Sequence, residues 1–246
     1  MKDLFSVKGK VILITGASRG IGRFLAEGFR DLGAEVHGTG SKPESVEWMK
    51  SAGIVGHAAD MRDPLAIGQV IQSVHAKTAR IDVLINNAGI AGNTPAGGMK
   101  EEEISKIIET NYTGLFRSCQ AYYKVQRKSG GNIINFASVL GMIGTPLASV
   151  YSGTKGAVIS LTKALAIEWV NNGFRVNAIC PGLIETDMTS MITDRPAIKE
   201  KVQGGIPMGR MGLPIDLMGG VVFLASDSSS YMTGQTIVID GGMTAQ

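Results

Sequence analysis

The chain has 246 residues, 44% hydrophobic and 18% charged, with a formal net charge of +3. That length and apolar content suit one domain with a large core, and residues 1–246 read as a single domain. The excess of positive charge is too small, and Lys and Arg too scattered, for a nucleic-acid surface. No apolar run approaches the roughly 20 residues that cross a bilayer, and residues 1–7 lack the apolar core of a signal peptide, so no membrane is expected and the cytoplasm is the expected location. Cys119 and Cys180 fall outside CxxC and Cys/His spacings. Both read as buried thiols in a reducing compartment, and no metal site is expected.

In chain order, short β-branched runs alternate with helical patterns. Strands are expected at 11–15, 35–39, 54–59, 83–86, 132–136, 176–180 and 236–239, and helices at 21–32, 64–78, 101–126, 150–171 and 216–224. Gly33 and Gly173 stand where helices should stop. Continuously apolar strands alternating with helices predict right-handed βαβ crossovers and a doubly wound parallel sheet covered on both faces. Residues 181–214 are the least regular stretch. They hold Pro181, Pro196, Pro207 and Pro214 with Met188, Met191, Met208 and Met211, and they read as a flexible apolar lid.

The first strand runs into Thr15-Gly16-Ala17-Ser18-Arg19-Gly20-Ile21-Gly22. Strand, glycine loop and helix in that order place a pyrophosphate at a helix N-terminus. Gly16 permits the tight turn, Gly20 the close approach of backbone to phosphate, and Gly22 the contact of helix with strand. After the second strand, where an NAD site usually carries a carboxylate, the chain reads Gly38-Thr39-Gly40-Ser41-Lys42. Arg19, Thr39, Ser41 and Lys42 offer cations and hydroxyls to a 2′-phosphate, so NADP is favoured over NAD.

Further on, Asn86-Asn87-Ala88-Gly89 ends the fourth strand, at the carboxyl edge where such sheets bind ligands. Tyr151 and Lys155 stand four apart on one helix face. Reduction of a ketone leaves alkoxide character that must take a proton. A free Tyr, with a pKa of about 10, is a poor partner at neutral pH unless a cation stabilises its phenolate; Lys155 offers that charge, so Tyr151 is expected to act as general acid in reduction and base in oxidation. Ser138 ends the fifth strand and suits a hydrogen bond to the substrate carbonyl.

These motifs, from Gly9 to Gly242 and in this order, resemble the short-chain dehydrogenase/reductase family, with its TGxxxGxG loop, NNAG turn and catalytic Asn–Ser–Tyr–Lys set. The resemblance implies a Rossmann-type α/β fold: a doubly wound, seven-stranded parallel sheet in a three-layer α/β/α sandwich. It implies that Asn111, Ser138, Tyr151 and Lys155 are catalytic, with Asn111 bending its helix. Tyr151 and Lys155 also hold the cofactor, with Gly16, Ser18, Arg19, Gly20, Ile21, Gly22, Thr39, Ser41, Lys42, Asp60, Met61, Asn87, Ala88, Gly89, Pro181, Gly182, Ile184 and Thr186. Asp60 would meet the adenine amino group and Thr186 the nicotinamide carboxamide. Ser138, Leu140, Met142, Tyr151, Leu183 and Met188 are the expected substrate residues, with Ile143 and Leu147 beside them. That set is largely apolar and favours a substrate with apolar groups next to the carbonyl.

The glycine loop, the stretch 181–189 and Ala225-Ser226-Asp227 are similar to bacterial 3-oxoacyl-(acyl-carrier-protein) reductases. Those enzymes present basic residues where this chain has Ser129 and Asn172, with Lys124, Arg127 and Lys128 nearby. An acyl carrier protein is therefore a doubtful partner, and a small ketone, polyol, keto-sugar or CoA thioester stays open as substrate. A non-catalytic NADP-binding regulator would have a broken catalytic set, and all four members are present. Family members are usually tetramers. The 101–126 and 150–171 helices and the C-terminal strand would form the interfaces, with Trp169 at one of them.

Overall fold

In the computed structural model, residues 3–190 and 194–245 are described. Seven strands, all parallel, lie in the order β3-β2-β1-β4-β5-β6-β7. They are β1 (Val11–Thr15), β2 (Glu35–Gly40), β3 (Val55–Ala58), β4 (Val83–Asn86), β5 (Gly131–Phe136), β6 (Phe174–Pro181) and β7 (Thr236–Ile239). The order reverses direction between β1 and β4. That leaves a crevice at the carboxyl ends of these two central strands, the general ligand site of such sheets.

Side chains alternate across the strands and split the core in two. Val11 and Leu13 of β1 and Leu84 of β4 face one cluster, which α3 (Ala66–Thr78), α5 (Gly114–Gln126) and α6 (Ser149–Trp169) complete with Ile71, Cys119, Tyr122, Val158 and Leu165. Ile12, Ile14, Val83 and Ile85 face the other. There α1 (Gly20–Asp31), a short α2 (Glu47–Ser51) and α8 (Pro214–Ala225) contribute Leu25, Phe29, Met49, Leu217 and Val221. The result is the expected three-layer sandwich. The two edge strands differ from the central ones: β3 is mostly exposed and β7 half-exposed, so neither is buried on both faces.

Several boundaries depart from the sequence reading. The helix expected over 101–126 is three segments: α4 (Glu101–Ile108), a π-helical turn at Glu109–Thr113, and α5. The stretch 181–214 is not uniformly irregular, because α7 (Pro196–Gly204) starts with Pro196 in its first turn, where a missing N–H costs nothing. Its methionines do not form one cover. Met208 and Met188 are exposed, Met211 is fully buried, and Met191 lies outside the described residues. Trp169 is core: it is buried and stacks on Tyr123 with ring centroids 4.5 Å apart, while Phe174 meets it edge-on. Gly33 and Gly173 do end helical segments, at φ +81° and +75°.

Candidate active site

The glycine loop is built by close contact. At Gly16 a Cβ would come within 2.6 Å of the Ala88 Cα, and φ is +66°. At Gly22 a Cβ would run into the Gly16 carbonyl and the Asn87 amide. The loop is tied to the end of β4 by Asn87, whose Nδ2 donates to the carbonyls of Thr15 (3.1 Å) and Gly16 (2.9 Å). The Thr15 hydroxyl in turn accepts from the N–H groups of Asn87 and Ala88, each at 3.1 Å. Gly20, at φ +56°, faces Thr186 across the cleft, 3.7 Å from where its Cβ would stand. The first turn of α1 carries no acidic residue and no side-chain cap. A glycine cradle that a Cβ would fill, at an uncapped helix N-terminus, fits a dinucleotide pyrophosphate.

We expect Gly22→Ala to weaken nicotinamide binding more than about tenfold and to destabilise the fold by about 2–3 kcal/mol, since the Asn87 latch must move. Fluorescence titration with NADPH and thermal melting check both effects.

At the end of β2, Ser41 and Lys42 are exposed, as a phosphate contact requires. Thr39 is not available in that way. Its side chain is buried, its Oγ1 accepts from the Gly16 N–H at 3.2 Å, and its carbonyl accepts from the Ala17 N–H at 2.7 Å. Thr39 therefore shapes the loop rather than facing a ligand. Arg19 is exposed and its guanidinium lies 3.8 Å from the Asp187 carboxylate on the far wall of the cleft. Ser18 is half-buried beside Gly40. Asp60 is held by Arg62 through bonds of 2.6 to 3.1 Å, and that guanidinium lowers its pKa. Met61 is buried, with its carbonyl against Gly114.

On the opposite side, Gly182 packs where a Cβ would meet Asp240, and its N–H donates to the Ile239 carbonyl at 2.9 Å. Ile184 is buried and bridges to Gly212, while the Leu183 carbonyl accepts from the Gly212 N–H at 2.9 Å. These contacts anchor the loop that carries Thr186 and the exposed Met188.

The four expected catalytic residues converge. Asn111 sits in the π-turn, completely buried. Its Oδ1 accepts from the Ile90 N–H at 2.8 Å, and its Nδ2 donates to the Ile90 carbonyl at 2.8 Å and to the Thr154 hydroxyl at 3.2 Å. The Thr154 hydroxyl donates on to the Tyr151 carbonyl at 2.7 Å, tying the π-turn to the catalytic helix. Ser138 accepts from the Leu140 N–H at 3.1 Å and hydrogen-bonds the Tyr151 hydroxyl. Lys155 is 4% exposed. Its Nζ donates to the Phe136 carbonyl at 2.7 Å and lies 5.6 Å from the centre of the Tyr151 ring.

The electrostatics differ from the sequence expectation in one respect. Burial pushes the Tyr151 phenol up, against the Ser138 hydrogen bond that lowers it. Burial likewise brings the Lys155 ammonium down to about 8. Desolvation, rather than the lysine cation, sets the phenol. Tyr151 is thus held as a proton donor at neutral pH, which is the form carbonyl reduction consumes.

The motif reading did not assign the Thr15 hydroxyl, the Ile90 backbone, Thr154 or the Phe136 carbonyl. Ile90 and Phe136 act through backbone groups, where residue type carries little signal, and Thr154 acts through a hydroxyl whose partner, Asn111, lies 43 residues away in the chain. Thr15 alone was legible, as the first letter of the glycine motif. Among the described residues no group of three or more His, Cys, Asp or Glu side chains is arranged to hold a metal.

A family model described as enoyl-(acyl carrier protein) reductase matches residues 16–244. The chain is 38% identical to the 3-oxoacyl-(acyl-carrier-protein) reductase FabG of Vibrio cholerae, over 97% of this chain and 98% of that protein. Among solved structures, a putative short-chain alcohol dehydrogenase from Sinorhizobium meliloti superposes with a TM-score of 0.93 at 34% identity, covering 99% of both chains. A gluconate 5-dehydrogenase from Burkholderia cenocepacia, in complex with NADP and tartrate, gives a TM-score of 0.93 at 31% identity, over 99% of this chain and 98% of that one. With its glycine cradle, its Ser138–Tyr151 hydrogen bond and its buried Lys155, the chain belongs to the short-chain dehydrogenase/reductase family, oxidoreductases that act on CH–OH groups with a nicotinamide cofactor.

Proposed function

We propose that the protein is an NADPH-dependent carbonyl reductase whose preferred substrate is a 3-oxoacyl thioester or a ketone of similar apolar character. The observation that carries this reading is the convergence at the carboxyl edge of the sheet of the Tyr151 hydroxyl, hydrogen-bonded to Ser138, with Lys155, whose Nζ donates to the Phe136 carbonyl at 2.7 Å. When bound, the nicotinamide supplies the hydride. The chain's own residues do the rest. Ser138 orients the carbonyl oxygen, and Tyr151 gives it a proton. Lys155, fixed by the Phe136 carbonyl, keeps positive charge beneath the tyrosine, and the Asn111–Thr154 bridge holds the helix that carries both. Gly16, Gly20 and Gly22 with the N-terminus of α1 would hold the pyrophosphate.

The preference for NADP rests on the glycine loop and the residues that follow β2. Arg19 and Lys42 are exposed, and β2 ends in Gly40 and is followed by Ser41 rather than a carboxylate. NADP in the Burkholderia gluconate 5-dehydrogenase complex supports the same choice. We expect Arg19→Ala to raise the KM for NADPH about 10- to 100-fold and leave that for NADH within about twofold. Initial rates with both cofactors test this, and an NADH preference in the unmodified protein would contradict it.

For the carbonyl substrate, the FabG relatives favour a carrier-protein thioester, and Lys124, Arg127 and Lys128 offer cations at the end of α5. A second reading, a free small ketone or keto-sugar, is favoured by a specific observation. Asn172 accepts from the Tyr123 hydroxyl at 3.1 Å and Ser129 bonds the Gln126 carbonyl, so neither offers charge to an acidic carrier. Turnover of acetoacetyl thioester against aliphatic diketones and keto-sugars separates the two.

A homotetramer is the proposed assembly. It is supported by the exposed apolar Ile108, Phe116, Ile167 and Val170 along α4, α5 and the end of α6. A cytoplasmic location is proposed on the two free, buried cysteines.

A further inference from the structure

The two strands at one edge of the sheet, β2 and β3, are joined by a pair of histidines. His37 is 2% exposed, His57 is half-buried, and the His37 Nδ1 lies 3.1 Å from the His57 Nε2. The ring centroids are 5.4 Å apart and the planes 18° from parallel. That separation is close to the nitrogen–nitrogen distance plus one ring radius on each side, so the rings meet end to end, as a straight hydrogen bond requires. On its far side the His37 Nε2 lies 3.2 Å from the Glu35 carboxylate. A carboxylate only accepts. The His37 Nε2 therefore carries that ring's proton, its Nδ1 is the acceptor, and the His57 Nε2–H donates to it. The contact between the rings holds one proton, and a second on the His37 Nδ1 would break it.

The pair stands in an apolar layer. His37 is in register with Leu13 of β1 and Val55 of β3, on the face that α3 covers with Val70 and Val74. Two charged groups act on the pair, Glu35 from β2 and Lys77 from the last turn of α3. Burial lowers the His37 pKa, against Glu35, which raises it. Burial, followed by the neighbouring His37 and by Lys77, brings His57 down to about 4. The other side chains of β3 give it little hold, since Val55, Gly56 and Ala58 are exposed. Aliphatic residues at 37 and 57 would fill the layer without burying polar groups, so packing alone does not account for the histidines. Both strands lead to the proposed adenosine end of the cleft. β2 runs on to Ser41 and Lys42, and β3 to Asp60 and Met61, with the Ala59 N–H donating to the Gly40 carbonyl at 2.7 Å.

We infer that the His37–His57 pair is a proton-sensitive clasp, which fastens the edge strand β3 to the sheet at neutral pH and releases it in acid, loosening the adenosine end of the cofactor cleft. Closed, the pair resists further protons. Open, both rings reach water and each titrates near its ordinary pKa of about 6.5. Both folded values are depressed, so the clasp has its full strength above about pH 6.5. It weakens as the pH falls from there towards 4, where the contribution of His57 levels off. The release of β3 stands on the histidines alone, whereas the loosening of the adenosine end rests on the nicotinamide reading above.

The test is amide hydrogen exchange on the whole protein, read by mass spectrometry at pH 7 and pH 5 and corrected for intrinsic rates. From pH 7 to pH 5, protection of residues 54–59 should fall about 20-fold more in the unmodified protein than in His57→Gln, which keeps an N–H for His37 but takes no proton. At pH 5 that segment should exchange about tenfold or more faster than β4 and β5. Long-range ¹H–¹⁵N NMR of the unmodified protein gives a second reading, with His37 as the Nε2–H tautomer and His57 neutral down to about pH 5. Saturating NADP⁺ should restore protection of 54–59 at pH 5, because it binds the closed form. Equal pH dependence in the two proteins, titration of both histidines near 6.5, or exchange of 54–59 in step with β4 and β5 would overturn the clasp. NADP⁺ that binds without slowing exchange at 54–59 would overturn the link to the cofactor cleft. Failure to bind either NADP⁺ or NADPH at pH 7 would instead overturn the nicotinamide reading, with the clasp judged by exchange and NMR alone.

Discussion

Replacing Tyr151 by phenylalanine is expected to lower kcat about a thousandfold or more while leaving the Kd for NADPH within about threefold. The ring keeps its volume, so packing is preserved and only the hydroxyl that meets Ser138 is lost. Ser138 retains its bond from the Leu140 N–H and is not orphaned. Stopped-flow turnover with fluorescence titration of NADPH checks both halves. Loss of binding in parallel with turnover would assign Tyr151 to the cofactor rather than to proton transfer. Turnover within about tenfold of the unmodified enzyme would remove Tyr151 as the acid.

The second large effect concerns Lys155. Burial lowers its pKa from 10.5 to about 8, so charging it inside the fold costs on the order of 3 kcal/mol relative to the unfolded chain. The sign follows from the depressed value. The lysine imposes no electrostatic cost above about pH 10.5, where it is neutral in both states. Stability falls as the pH drops from there towards 8, and the cost is then constant. Catalysis runs the other way, because the ammonium is present below about 8 and lost above it. Carbonyl reduction should therefore decline as the pH rises through about 8. Lys155→Met should lower kcat about 100-fold or more and abolish that limb of the pH profile. Its melting temperature near pH 7 should move only a few degrees, since removing the buried charge offsets the unpaired Phe136 carbonyl. A profile that keeps its decline near pH 8 in Lys155→Met would assign the titration to another group.

The residues proposed to carry the chemistry were legible because their types and spacing are constrained. Gly16 and Gly22 stand where no Cβ fits, and the Tyr151–Lys155 spacing places both on one face of α6. The sheet was legible for the same kind of reason. Leu13 and Leu84 face one helical layer while Ile12 and Ile85 face the other, so β1 and β4 are apolar at every position before their last residues, Thr15 and Asn86. Where tertiary contacts override local pattern, the sequence was silent or misleading. The bend at Asn111 was implied by the family resemblance, but its form, a π-turn held by the Ile90 and Thr154 bonds, carries no period of its own. Helix α7 was masked by the prolines and glycines around it. Thr39 looked like a phosphate ligand by position, but its register beside Gly16 turns the hydroxyl inward. Trp169 looked available for an interface because helix periodicity alone does not show Tyr123 and Phe174 closing over it. The tyrosine pKa was misjudged for want of depth: the sequence shows a cation four residues away, but not the desolvation that outweighs it.

The most direct test of the central claim follows the hydride itself. NADPH deuterated at both C4 positions would be consumed with a carbonyl substrate, and the alcohol product examined by NMR and mass spectrometry. The account predicts one deuterium on the carbinol carbon per molecule of NADPH oxidised, with the label transfer lost in Tyr151→Phe. Oxidation of NADPH with no deuterium in the product, or transfer that persists at full rate without the Tyr151 hydroxyl, would contradict it.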